Sequence, residues 1–302
     1  MPEHSLPHVI APMITPYDDD LMIDYNSASI QASRLAKEGI GVFIAGTTGE
    51  MPLLLPDEKK RLVSAVKKGI GDRTPVIIGS GWPNPYLVLQ EAHELEAYGI
   101  SALVVPPPYY YPIPSYSVEG FYRWLSRNLR IPLLIYTIPS HTGINIDVEL
   151  IASIANEENI IGIKATVSDI NYQVKLIQYV KEAHPDFLVY SGLDNLLLYN
   201  LLTGGDGGIV AGANLTPKLH AALIEAVAKD ELKEAIKLHR LILKINWVLE
   251  PARSLQGGIK TILVHEGVIE KDYVRPPLPN EDNVSRETII ERWKKSGLRD
   301  YF

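Results

Sequence analysis

Ile160-Ile161-Gly162-Ile163, followed at once by Lys164-Ala165-Thr166, is too short for an ordinary helix and too continuously apolar for a half-exposed strand. A run of this kind suits a parallel strand covered on both faces. Similar runs recur at Val9–Ile14, Val42–Ala45, Val76–Ile78, Ala102–Val105, Leu133–Tyr136, Phe187–Tyr190 and Gly208–Ala211. Helical periodicity fills the gaps: 27–37 before Gly39, 56–68 before Gly69, and 85–98 before Gly99. Ser117 and Asp147 are the expected N-caps of the next two helices. Strand–helix units of roughly 30 residues have the scale of a βαβ unit. Eight of them predict an α/β protein with a closed (β/α)8 TIM barrel rather than an open doubly wound sheet.

Beyond Asn214 the beat changes. Helices are expected at 217–228, 231–249, 253–266 and 285–295, with Val274-Arg275-Pro276-Pro277-Leu278-Pro279-Asn280 as a turn. The expected organisation is a barrel over 1–220 and an appended C-terminal helical region over 221–302, packed on the barrel.

Composition narrows the function. The 302 residues are 46% hydrophobic and carry a formal net charge of −7, which argues against general affinity for nucleic acid or acidic membranes. The absence of cysteine excludes a thiol nucleophile, a disulfide framework and a cysteine zinc site. The eight histidines show no HExxH-type spacing, so no metal site is expected. Gly204-Gly205-Asp206-Gly207-Gly208 lacks the Gly-Lys-Ser/Thr that completes a phosphate loop. The amino-terminal stretch lacks the basic flank and apolar run of a signal peptide, and no apolar run of about 18 residues occurs, so a cytoplasmic location is expected.

In barrels of this class, chemistry sits at the carboxyl ends of the strands. The second run leads into Gly46-Thr47-Thr48-Gly49-Glu50, and the fourth into Pro108-Tyr109-Tyr110-Tyr111. The fifth ends in Tyr136-Thr137-Ile138-Pro139-Ser140-His141-Thr142-Gly143. Lys164 and Thr166 follow the sixth, Ser191-Gly192 the seventh, and Gly208-Ile209 belongs to the eighth. Most lysines here sit in helix-surface patterns, whereas Lys164 follows three isoleucines. Two readings fit it: a strand-end lysine that snorkels or pairs, or an amine desolvated so that it can attack a ketone. Tyr136 is likewise either a core tyrosine or a proton carrier. The turn at 46–50 offers amides and two hydroxyls suited to a carboxylate.

Lys164, Tyr136 and Gly46-Thr47-Thr48-Gly49-Glu50, in order on strands six, five and two, resemble the dihydrodipicolinate synthase / N-acetylneuraminate lyase family over nearly the whole chain. The resemblance implies a class I, Schiff-base mechanism on a pyruvate-type keto acid, with no metal or other cofactor. Lys164 would form the imine and Tyr136 would act as general acid/base. Thr47 would relay its proton, and Tyr110 would reach the neighbouring subunit's site. Substrate contacts are implied at Thr48, which would hold the pyruvyl carboxylate, and at Ile138, His141, Thr166, Gly192 and Ile209. The implied partners are a small keto acid and an aldehyde, and the implied assembly is a homotetramer, a dimer of dimers.

Within that family, synthases usually carry arginine where this chain has His141, and asparagine where it has Thr137. Histidine lacks the bidentate fork of a guanidinium. Lys164-Ala165-Thr166, Val189-Tyr190-Ser191-Gly192-Leu193-Asp194 and Tyr273-Val274-Arg275-Pro276-Pro277 look more like archaeal 2-keto-3-deoxygluconate aldolases, although Gly46-Thr47-Thr48-Gly49-Glu50 departs from their Gly-Leu ending. Thr137, Ser140, His141, Thr166 and Ser168 would supply neutral partners for a polyhydroxylated tail. The expected reaction is cleavage of a 2-keto-3-deoxy sugar acid to pyruvate and glyceraldehyde. The alternatives are 4-hydroxy-tetrahydrodipicolinate synthase and a non-catalytic keto-acid-binding barrel.

Overall fold

The computed structural model describes residues 6–71 and 74–302. Eight strands form a closed barrel in chain order: β1 (Val9–Pro12), β2 (Gly41–Ile44), β3 (Val76–Gly79), β4 (Ala102–Val105), β5 (Leu133–Thr137), β6 (Ile160–Ala165), β7 (Leu188–Ser191) and β8 (Gly207–Ile209). Their side chains are almost wholly buried on both faces, which is why the sequence shows unbroken Val/Ile/Leu runs rather than alternation. All eight expected runs are strands.

By internal packing the chain divides into two compact units, one comprising the residues up to His8 with 77–210, the other 9–76 with 211–302. The first carries α3 (Pro85–Glu96), α4 (Ser115–Asn128), α5 (Pro139–Thr142), α6 (Val148–Ile154), α7 (Ile170–Lys175) and α8 (Leu197–Leu202). The second carries α1 (Tyr25–Lys37), α2 (Pro56–Ile70), α9 (Pro217–Ala228), α10 (Leu232–Leu249), α11 (Leu255–His265) and α12 (Asn283–Ser296).

Helix starts follow capping chemistry. The side chain of Asp24 accepts from Ser27 N, that of Asn84 from Tyr86 N, and that of Ser254 from Gly257 N. Glu58 reaches back to accept from Leu55 N at 2.9 Å. Asp147 is the N-cap of α6, but through its carbonyl, which accepts from Leu150 and Ile151. Ser117 is not a cap: α4 begins two residues earlier, behind Pro114. Pro114 holds extended backbone, and its carbonyl already takes the Ser117 amide at 2.9 Å. The proline-rich segment after Val274 makes the expected turn, closed by Leu278 N donating to Arg275 O. No helix among the described residues is long and apolar enough to cross a membrane.

Candidate active site

Strand β6 pairs with β5 in parallel register, with Tyr136 opposite Lys164 and Thr137 opposite Ala165. Directly paired residues point to the same face, and neighbours along a strand point to opposite faces. Tyr136 and Lys164 therefore share one face, while Thr137 and Ala165 share the other. Lys164 is only 4% exposed, so it does not snorkel to solvent. Its Nζ lies 4.2 Å from the centroid of the buried Tyr136 ring. A positive iminium at that nitrogen is favoured by the ring's negative face, an effect of ~1–2 kcal/mol in a desolvated setting.

Thr166 continues β6, its amide donating to Thr137 O at 2.9 Å. Its Oγ1 is buried and makes no hydrogen bond within the chain. A buried orphan hydroxyl costs about 1–3 kcal/mol unless something else satisfies it. Gly192 is what lets this hydroxyl fit: a Cβ at that position would lie 1.9 Å from Thr166 Oγ1. Gly192 N also donates to Ala165 O at 2.7 Å, so the ends of β6 and β7 are tied together here.

Ile138 is buried and its carbonyl caps the short helix α5, accepting from His141 N and Thr142 N. Ser140 and His141 are exposed, and the Ser140 hydroxyl lies 3.0 Å from His141 Nδ1. Ile209 is fully buried at the end of β8. Thr137 is fully buried and, on the face opposite Tyr136, packs towards Tyr172 of α7. That orientation removes Thr137 from the set of donors expected for a substrate tail. Tyr110 is 85% exposed, edge-on to Tyr111, at φ +87°. Positive φ at a bulky residue is strained. With Pro83, Asn84, Pro108, Tyr109, Tyr111 and Ile113 it lines a shallow groove of about 280 Å³.

In the other unit, the turn 46–50 is tightly defined. It is bracketed by two non-glycine residues in left-handed conformation, Ala45 at φ +49° and Glu50 at φ +62°. Glu50 N donates to Thr47 O, and Met51 N donates to Gly46 O. Thr15, in the loop after β1, donates its hydroxyl to Gly49 O at 2.7 Å, and Gln256 of α11 donates to Thr47 O at 3.0 Å. A Cβ at Gly49 would lie 2.8 Å from Met13 O, so only glycine permits that approach. Thr48 is buried and Thr47 half-buried within this frame.

Sequence reading overlooked Lys260 and Gln256, which reach this turn from α11. A signal was present: Lys260 stands in Ile259-Lys260-Thr261-Ile262-Leu263, as isolated among apolar residues as Lys164. Among the described residues no three His, Asp or Glu side chains gather as a metal-ligand set.

Comparison with known proteins identifies a family. The model of the "Dihydrodipicolinate synthetase family" matches residues 5–295. An uncharacterised DapA-like lyase of Thermofilum pendens is 34% identical over 295 residues, covering 96% of this chain and 97% of that one. A 4-hydroxy-tetrahydrodipicolinate synthase of Heliobacterium modesticaldum is 34% identical over 236 residues, 77% of each chain. A probable 2-dehydro-3-deoxy-D-pentonate aldolase of Escherichia coli is 27% identical, covering 93% of this chain and 94% of that one. Among solved structures, YagE of E. coli, a protein of the dihydrodipicolinic acid synthase family in complex with pyruvate, superposes with a TM-score of 0.92. It is 27% identical, over 97% of this chain and 99% of that one.

Proposed function

Because the chain belongs to the dihydrodipicolinate synthetase family, and so to its carbon–carbon lyases, we propose that it cleaves a 2-keto-3-deoxy sugar acid to pyruvate and a hydroxyaldehyde such as glyceraldehyde. The observation that carries the proposal is the buried Lys164 amine over the Tyr136 ring at the carboxyl ends of β6 and β5.

The keto acid's C2 carbonyl condenses with Lys164 Nζ, losing water to give an iminium. That iminium accepts the electron pair of the C3–C4 bond and becomes an enamine. Tyr136 takes the proton from the C4 hydroxyl as the bond breaks, and Thr47 relays it, because an unassisted phenol is a poor base near neutrality. Protonation of the enamine at C3 and hydrolysis then return pyruvate and the free amine. Thr48 holds the pyruvyl carboxylate, with Ile209 lining that end, and Ile138 and Gly192 make further substrate contacts.

Two features support a hydroxylated tail over aspartate semialdehyde. Thr166 offers a buried hydroxyl with no partner in the chain, matched to a neutral substrate hydroxyl. At the position of the synthase arginine stands His141, already engaged with Ser140, which gives no bidentate grip on a second carboxylate. We also propose a cytoplasmic homotetramer in which Tyr110 contributes to the neighbouring subunit's site, consistent with its exposure and strained backbone.

A direct comparison tests the substrate. Pyruvate with glyceraldehyde should condense faster than pyruvate with aspartate semialdehyde; the reverse order would assign the chain to the synthase reaction instead.

A further inference from the structure

Lys260 is fully buried in the middle of α11, and Glu50, the last residue of the turn 46–50, is 1% exposed. Lys260 Nζ donates to Glu50 Oε1 at 2.5 Å and to Tyr273 O at 2.8 Å, and lies 4.3 Å above the Tyr17 ring. The other Glu50 oxygen accepts from Arg275 N at 2.9 Å. The Arg275 guanidinium in turn pairs with Glu58 and donates to Leu21 O and Leu53 O. Both carboxylate oxygens of Glu50 are thereby fixed by groups more than 200 residues away in sequence.

Such a pair is a poor device for stability alone. A buried ion pair replaced by well-packed apolar residues is often neutral or stabilising by ~1–4 kcal/mol. What the pair does here is directional. Glu50 and Ala45 hold left-handed backbone that costs of order 1–3 kcal/mol each and persists only where surroundings over-determine it. Gln256 and Lys260 stand one helical turn apart, on one face of α11, and grip the turn at Thr47 O and at Glu50. Thr47 is itself one of the gripped residues, and Thr48 lies between the two grips.

We propose that Lys260 is a positioning residue for keto-acid binding: through Glu50 it holds the turn 46–50 in the conformation that presents Thr47 and Thr48. This rests on the reading that Thr48 holds the substrate carboxylate and Lys164 forms the imine. Lys260 takes no part in the bond changes.

The test is borohydride trapping of pyruvate on the full chain across a range of pyruvate concentrations, with thermal unfolding measured alongside. Wild type should trap on Lys164; failure there would overturn the reading beneath, and the proposal with it. With wild-type trapping in hand, Lys260→Met should raise the half-saturating pyruvate concentration about tenfold while the limiting trapping rate falls by less than about threefold. The paired variant Lys260→Met/Glu50→Gln, which leaves no orphaned charge, should show the same rise and answers the case in which the single variant does not fold. A purely structural role would lower the unfolding temperature and leave half-saturation unchanged wherever the variants are folded, and that result would overturn the assignment.

Discussion

Lys164 and Tyr136 are register partners on neighbouring strands, with the lysine nitrogen 4.2 Å over the centre of the phenol ring. The contact is with the face of the ring rather than its hydroxyl. One side chain can therefore favour a cation at the lysine while its hydroxyl is engaged elsewhere. The two functions are separable by mutation.

Tyr136→Phe keeps the ring and removes the hydroxyl. It should still form the pyruvate imine, seen by reductive trapping, while carbon–carbon cleavage falls by about 10²–10⁴-fold. Turnover within a few-fold of wild type would remove Tyr136 from proton transfer.

Thr166 and Gly192 form a matched pair, because any Cβ at position 192 would collide with Thr166 Oγ1. Gly192→Ala should cost about 1–3 kcal/mol of stability in a denaturant titration, as overpacking does. Thr166→Val, which keeps the shape and loses the hydroxyl, should raise KM for the sugar acid while leaving pyruvate half-saturation in trapping unchanged. Equal effects on both would place Thr166 at the wrong end of the pocket.

Burial drags the Lys260 amine from its ordinary 10.5 down to about 8, against the pull of Glu50; Asp272 also holds it up and Arg275 pushes it down. The unfolded chain thus binds more protons than the folded chain between about pH 8 and pH 10.5. The contribution of this group is at its least below that window and grows as pH rises through it. The stability of wild type relative to Lys260→Met should improve by up to ~3 kcal/mol across the window. Denaturant titrations at several pH values measure it, and a difference that falls as pH rises would contradict the burial of a charged amine at this position.

Arg275 anchors the segment after α11 through Glu58 and two carbonyls, and both partners of the ion pair are largely buried. Arg275→Ala should destabilise the chain by about 3 kcal/mol by orphaning Glu58, read as a lower denaturation midpoint. Lys229→Ala, which removes an exposed pair with Glu225, should leave the midpoint unchanged. Equal effects would mean that the Arg275 pair carries no more than a surface pair.

The barrel was legible because burial on both faces leaves a mark that survives in one dimension: Ile160-Ile161-Gly162-Ile163 admits few other readings. Lys164 was legible for the same reason, as a charge where the strand is dry. The residues proposed to work with it were harder to read. Thr47 and Thr48 sit in a turn whose geometry is set by Thr15, Gln256 and Lys260, contacts that no local pattern encodes. Tyr136 and Thr137 looked equally available until strand alternation separated them, and that alternation can be read directly from sequence once the strand is placed. The start of α4 was misplaced because a serine with a glutamate two residues on resembled a helix entry, while Pro114 had already set the backbone.

The most direct test of the central claim is reduction with borohydride in the presence of pyruvate, followed by peptide mass mapping. The pyruvyl adduct should fall on the peptide containing Lys164 and vanish in Lys164→Ala. An adduct on any other lysine, or none at pyruvate concentrations that saturate turnover, would contradict the Schiff-base assignment.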